Sequence, residues 1–258
     1  MNDQEKIVQD IIDAEPNLLY LVLSGSRVYG TNIKVSDYDY RGIFANTEQE
    51  VLGLTVRDSQ VYKSEDIILH GLHKFVKLAI AANPNILEVL FIDDFSIYTH
   101  PLFKKYFIDN RDMFLTQKCY YTYSGYAISQ VQRSKHKSSH GILREKYKVG
   151  PESDPYDSKY AMHTVRLMLN AQEILEQGTL HPHFEGRDRD FLLSIRSGKE
   201  FPNATSFYHF VDVLDKRLKD MADQAKESKL IPHHADQPAI NQLLVDFYKE
   251  YFKFVQTP

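Results

Sequence analysis

The feature that most constrains this chain is an apolar run, Leu19 to Leu23, that ends in Ser24-Gly25-Ser26 and is followed by Ser36-Asp37-Tyr38-Asp39-Tyr40-Arg41-Gly42. An unbroken apolar run closed by Gly reads as a strand buried on both faces, in the middle of a covered sheet, stopping at a tight turn. If the second stretch is also a strand, alternation puts Asp37 and Asp39 on one face and Tyr38 and Tyr40 on the other. Two carboxylates side by side repel each other unless a cation sits between them. Mg²⁺ suits that position, because it takes one or two carboxylates and completes its shell with phosphate oxygens of a substrate.

The order of strand, Gly-Ser, short gap and Asp-x-Asp resembles the nucleotidyltransferases of the DNA polymerase β superfamily. The fuller wording, Gly25-Ser26-Arg27-Val28-Tyr29-Gly30-Thr31 and then Ser36-Asp37-Tyr38-Asp39-Tyr40-Arg41-Gly42, is similar to the bacterial and phage branch of predicted nucleotidyltransferases linked to RNA repair. Further points of resemblance are Asn83 to Phe91 and Tyr156 to Leu167. The resemblance implies an α+β fold: a small mixed β-sheet, polymerase β-like catalytic domain over residues 1–112, then a helical domain over 113–258 that completes the nucleotide cleft. It implies that Ser24, Gly25 and Ser26 hold phosphates and that the aspartates hold metal for two-metal chemistry. The superfamily adds a third carboxylate from a neighbouring strand. Asp66, entering the run Glu65-Asp66-Ile67-Ile68-Leu69, is chosen, with Glu65 and Glu88 as alternatives. The expected catalytic and metal-binding set is therefore Asp37, Asp39 and Asp66.

Cations for the phosphates come from two places. Arg27 follows the Gly-Ser turn, where a helix start already favours anions. Arg41 continues the i, i+2 series of the aspartates and serves either a phosphate or an ion pair. Lys159, His163 and Arg166 fall at i, i+4 and i+7 on one helix face. Three cationic groups aligned in this way repel one another unless an anion faces them, and a triphosphate would do so. The string Tyr156-Asp157-x-Lys159-x-Ala161-x-His163-x-x-Arg166-Leu167 also resembles the second motif of the same family, on a helix facing the site across the cleft. Gln130 and Arg133 join from the preceding helix. His70 and His73 receive no role, and His181 and His183 lack a third ligand at zinc spacing.

Bulk properties exclude several classes. Apolar residues at 43% and charged ones at 26% are those of an ordinary soluble globular chain. No apolar run approaches the roughly 20 residues that span a bilayer, and the polar start Met1 to Lys6 is not a signal peptide. The single cysteine, Cys119, leaves no intrachain disulfide, fits a reducing cytoplasm and reads as a small buried hydrophobe. A net charge of −4 is not that of a protein coating nucleic acid. Locally, however, residues 130–148 carry Arg133, Lys135, Lys137, Arg144, Lys146 and Lys148 against Glu145 alone.

Periodicity predicts helices over 3–14, 70–82, 120–132, 159–177 and about 207–221 and 240–254. It predicts strands near 19–24, 36–45, 61–69 and 86–92, a short helix at 26–29, and a long loop over 133–156. The functional expectation is Mg²⁺-dependent transfer of a nucleoside monophosphate from an NTP, expected to be ATP, to an acceptor hydroxyl, with pyrophosphate released. An RNA end is the first choice of acceptor; protein and small-molecule hydroxyls are the alternatives. A nucleotide-binding sensor without chemistry is the alternative of another class, and an intact Asp-x-Asp argues against it. No membrane partner is expected.

Overall fold

The apolar run becomes an inner strand of the sheet. In a computed structural model, described over residues 3–34, 36–62, 66–135, 147–227 and 230–256, Leu18–Ser24 (β1) lies between Asp39–Phe44 (β2) and Ser96–Thr99 (β5), antiparallel to both. Beyond β2, Ile67–Gly71 (β4) runs parallel to it, and Ser59–Tyr62 (β3) closes that edge antiparallel to β4. The sheet order is β3-β4-β2-β1-β5. Helix α1 (Asp3–Ala14) covers one face, where Ile11 meets Leu18, Leu21, Tyr40, Phe44, Ile67 and Leu69. The other face, with Leu19, Tyr20, Val22 and Ile43, opens into the main core. Coverage on both sides is why β1 carries no polar alternation.

Two strand expectations change in extent. The second strand begins only at Asp39, not at 36, and the third splits into the β3–β4 hairpin, whose connecting residues 63–65, Glu65 among them, lie outside the described residues. After Glu48–Leu52 (α2) and this hairpin, Leu72–Ile80 (α3) forms inside the expected 70–82, with His70 and Gly71 belonging to β4 instead, and buries Leu72, Phe75, Val76 and Ala79. The strand expected over 86–92 is instead a helix, Pro84–Leu90 (α4). Its start is written in the sequence: the Asn83 side chain accepts from the Asn85 N–H at 3.1 Å and Pro84 occupies the first turn. All of its residues but Asn85 are buried, so its apolar residues show no helical stripe and mimic an inner strand.

Pro101–Phe103 (α5) runs into a π-type turn over Lys104–Ile108. Among the described residues five longer helices follow: Lys118–Lys135 (α6), Ser158–Gln177 (α7), Gly186–Arg196 (α8), Ala204–Ala225 (α9) and Gln237–Gln256 (α10). Where a loop was expected over 133–156, α6 extends to Lys135, and Lys148–Val149 (β6) pairs with Tyr156–Asp157 (β7); residues 136–146 lie outside the described residues. Buried Asp157 caps α7, accepting from the Lys159 and Tyr160 N–H groups at 2.9 and 3.1 Å. Gly178, left-handed at φ 68°, ends that helix. Helix α10 returns to the N-terminal half: the Tyr248 hydroxyl accepts from the Asn46 N–H and the Tyr251 hydroxyl donates to Asn17. Cys119 is fully buried, and burial pushes its thiol up to about 11. Among the described residues no helix is long and apolar enough to cross a membrane.

Candidate active site

The site starts where β1 stops. Ser24 is still extended, Gly25 turns left-handed at φ 69°, and Gly25–Arg27 makes a single 3-10 turn. The expected helix at 26–29 is thus one turn beginning a residue earlier. It is closed by Tyr29 N–H to Gly25 O at 3.1 Å and Thr31 N–H to Ser26 O at 2.9 Å. Register pairs Ser24 with Asp39, which lays the Asp39 carboxylate over the turn. A Cβ on Gly25 would stand 2.9 Å from Asp39 Cγ and would collide with Oδ2. Glycine is therefore required twice, once for φ and once for space.

The two aspartates are held differently. Asp39 is the first residue of β2, so Asp39, Arg41 and Ile43 share a face. Asp37 precedes the strand and is exposed. Arg27 shapes the run that carries it: its guanidinium donates to Ser36 O at 2.7 Å and Asp37 O at 3.2 Å, and lies 3.6 Å over the Tyr38 ring. Asp66 comes just before β4. The parallel register Tyr40 to Ile67 brings Asp66 alongside Asp39, and Asp66 O accepts from the Tyr40 N–H at 2.7 Å and from Arg41 Nη1 at 2.9 Å. Asp39 is half-buried, and its carboxyl is pushed above the usual carboxylate range by burial first, with Asp66 and then Asp37 adding to it against Arg41 and Lys159. A desolvated carboxylate pressed by two others is a hard oxygen donor that a divalent cation would relieve. Among the described residues no three His, Cys, Asp or Glu side chains gather into a ready cage. A Mg²⁺ site completed by substrate phosphates does not require one.

A cavity of about 660 Å³ opens on this face of the sheet. Its sheet side carries Ser24, Gly25, Asp39, Arg41, Ile43, Ile68 and His70; helix α7 faces them with Lys159, Tyr160, His163 and Arg166. Helix α6 adds Tyr126, Gln130 and Arg133. Of the residues singled out from the sequence, the cavity gathers Ser24, Gly25, Asp39, Arg41, Gln130, Arg133, Lys159, His163 and Arg166. Ser26, Arg27, Asp37 and Asp66 are not among its wall residues. Lys159 sits in the first turn of α7, where the helix field disfavours a cation.

Arg166 is part of a buried connector. Its Nη1 meets Glu88 Oε1 at 2.6 Å with both side chains almost wholly shielded. Glu88 Oε2 accepts from the Tyr29 hydroxyl at 2.7 Å, and Asn170 donates to Oε1 at 3.3 Å. The Arg166 guanidinium also lies 3.8 Å over the Tyr29 ring. Burial, then the Glu88 charge, drives the Tyr29 phenol far up, so it is a neutral donor. One carboxylate on α4 thereby joins the Gly25–Gly30 segment to the cationic helix. With Oε1 and Oε2 both engaged inside the core, Glu88 serves as the ion-pair partner of Arg166 and the acceptor for Tyr29.

Sequence reasoning missed the support behind the turn. His183 Nδ1 donates to Val28 O at 2.5 Å, Phe184 N–H to Tyr29 O at 3.3 Å, and Arg189 Nε to Gly30 O at 2.8 Å. Gly30 is left-handed, and a Cβ there would approach Phe184 O to 2.7 Å. No local pattern connects residues 155 positions apart. His181 pairs with Glu173 at 2.6 Å. His70 contacts Ser59 Oγ at 2.9 Å, and burial, aided by Lys74 and Arg41, lowers it to about 4, so it stays neutral at the edge of the cavity.

A family model described as RNA repair pathway DNA polymerase beta family (RlaP) matches residues 2–246. No curated protein matches the chain. Among solved structures, a nucleotidyltransferase-like protein from Exiguobacterium sibiricum 255-15 is similar at 12% identity and a TM-score of 0.29, over 86% of this chain and 75% of that one. The family match takes in the turn, the aspartates and the cationic helix together, and leaves only residue 1 and residues 247–258 outside it. The protein belongs to the RNA repair pathway DNA polymerase beta family and is a nucleotidyltransferase, an enzyme that transfers phosphorus-containing groups.

Proposed function

We propose that the protein transfers a nucleoside monophosphate from an NTP, with ATP the expected donor, to a hydroxyl at an RNA end and releases pyrophosphate. The observation that carries this reading is the pair of opposed walls around one cavity: Gly25 and Asp39 on the sheet side, Lys159, His163 and Arg166 on α7. Asp37, Asp39 and Asp66 would hold Mg²⁺. When bound, that metal neutralises triphosphate charge, activates the attacking hydroxyl and stabilises the leaving pyrophosphate.

The chain's own groups bind and orient. The Gly25 backbone, bare of a Cβ, leaves room for the Asp39 carboxylate against the turn, and the Ser24 hydroxyl shares that cavity wall, where the outer face of the turn is open to a phosphate. Lys159 offers a mobile ammonium to the outer phosphates, and Arg166, held by Glu88, offers a fixed planar edge. The acceptor oxygen then bonds to the α-phosphorus as the bond to the bridging oxygen breaks and pyrophosphate leaves. The family's description and the basic residues of 130–148 support RNA as the acceptor.

The test is incubation with α-labelled NTPs and Mg²⁺ against tRNA, generic RNA, protein and aminoglycosides. The expected result is label on RNA with matching pyrophosphate, both lost in Asp37→Ala and in Asp39→Ala. Label appearing only on protein or aminoglycoside would replace the acceptor, and turnover indifferent to both substitutions would overturn the site.

A further inference from the structure

The cavity has a second end that the phosphate chemistry leaves unused. Its floor follows β2 from Asp39 to Ile43, a run of about 13 Å at the usual strand rise, and continues into Phe75 and Leu78 of α3. At that end the α3–α4 turn meets α6 through Asn83 and Tyr126.

The hydrogen bonding there is fixed in direction. Asn83 Oδ1 caps α4 by accepting from the Asn85 N–H at 3.1 Å. The other half of that amide is therefore the NH₂ group, and it donates to the Tyr126 hydroxyl at 2.8 Å. Having accepted from Asn83, the Tyr126 hydroxyl keeps its own proton, for which no acceptor exists among the described residues. The Tyr126 backbone is pinned as well, since Ser129 Oγ donates to its carbonyl at 2.7 Å. A capped helix thus sets an amide, the amide sets a hydroxyl, and the hydroxyl leaves a donor on a residue of the cavity wall, which also carries the apolar Phe75, Leu78, Ile86 and Val89.

We infer that this end holds the nucleobase of the NTP and that Tyr126 is a specificity-determining residue, donating its hydroxyl proton to a hydrogen-bond acceptor on the base edge. The inference rests on the reading that the phosphates lie at Gly25, Asp39 and Lys159. The ring of Tyr126, with Leu78 and Ile86 nearby on the wall, supplies the flat apolar contact that any base accepts. The fixed donor supplies the selection, because a base offering a donor or a bare carbon there leaves the hydroxyl proton unpaired.

Two substitutions test the direction of the bond. Tyr126→Phe removes the proton and keeps the ring. Asn83→Asp keeps the helix cap but turns the amide donor into an acceptor, so Tyr126 donates inward and presents only lone pairs. Calorimetry with Mg²⁺ and the α,β-methylene analogues of ATP, GTP, CTP and UTP, and with tripolyphosphate, reads both. Tyr126→Phe is expected to weaken the preferred analogue by about five- to tenfold, the net effect of one hydrogen bond, with tripolyphosphate unchanged. Asn83→Asp should weaken the same analogue, and the double variant should be no weaker than the worse single one. Equal weakening of all four analogues, or none, with Lys159-dependent tripolyphosphate binding intact, would overturn this inference alone. Tripolyphosphate binding indifferent to Lys159→Ala would overturn the phosphate placement and this inference with it.

Discussion

The Asp39 carboxylate occupies the space that a side chain on Gly25 would fill, with Asp39 Cγ 2.9 Å from the position of an added Cβ. Turn and carboxylate are therefore one unit, joined by the last register pair of β1 and β2, Ser24 to Asp39. Gly25→Ala should act on both. The left-handed backbone at φ 69° costs an L-residue about 1–2 kcal/mol, and the methyl group must drive the carboxylate out of place. A shift of that kind near reacting atoms costs about 100-fold in rate. Urea unfolding together with pyrophosphate release would show a modest stability loss beside a much larger loss of turnover.

The buried pair of Glu88 and Arg166 separates stability from function. Glu88→Ala leaves a shielded guanidinium without its counter-charge, which destabilises by about 3–5 kcal/mol. Arg166→Ala leaves the carboxylate stranded to a similar extent. Replacing both, as Glu88→Leu with Arg166→Met, should recover most of that stability, since a well-packed apolar pair is often neutral. Turnover should not recover, because the planar cation facing the cavity is gone. A double variant that regains activity along with stability would show that Arg166 serves only the core.

Asp39 should be a site where function opposes stability. Its folded-state pKa is raised, chiefly by burial, so the fold favours the protonated form. The resulting contribution is present below the ordinary carboxylate range and is lost as pH rises through the elevated value, leaving a net cost at neutral pH. Asp39→Asn should therefore raise the melting temperature of the metal-free protein at pH 7 while abolishing transfer, and the gain should shrink in acid. Calorimetric scans at two pH values check the sign.

His70 should contribute to acid sensitivity. It is lowered to about 4 from an ordinary 6.5, by burial first and then by Lys74 and Arg41. Between those values the unfolded chain binds a proton that the folded protein refuses, so stability falls as pH drops through that window. His70→Gln, which can still bond Ser59, should flatten the pH 4 to 6.5 limb of a denaturation-midpoint curve and leave its neutral region in place.

Much of the site was legible because its signals are local. The Gly-Ser turn, the alternation that leads from Asp39 to Arg41 and Ile43, and the i, i+4, i+7 face of α7 need only the periods of a strand and a helix. The expected strand at 86–92 failed for an equally physical reason. A segment buried at every residue but one, Asn85, loses the one-sided stripe that distinguishes helix from strand, and only the Asn83-Pro84 cap marked it. The common face expected of Asp37 and Asp39 presupposes a strand running through both, whereas β2 begins only at Asp39 and Arg27 holds the residues before it.

The sequence by itself determined the chemistry on offer: a turn only glycine can make, carboxylates beside it, and a helix whose aligned cations call for an anion. Tertiary structure alone decided which of these groups share a cavity, that Glu88 serves Arg166 and Tyr29, and that His183 and Arg189 brace the turn from behind. Backbone periodicity is written within a few residues of itself. The partners of a buried charge are chosen by whichever distant segments close over it, and that choice exists only in the folded chain.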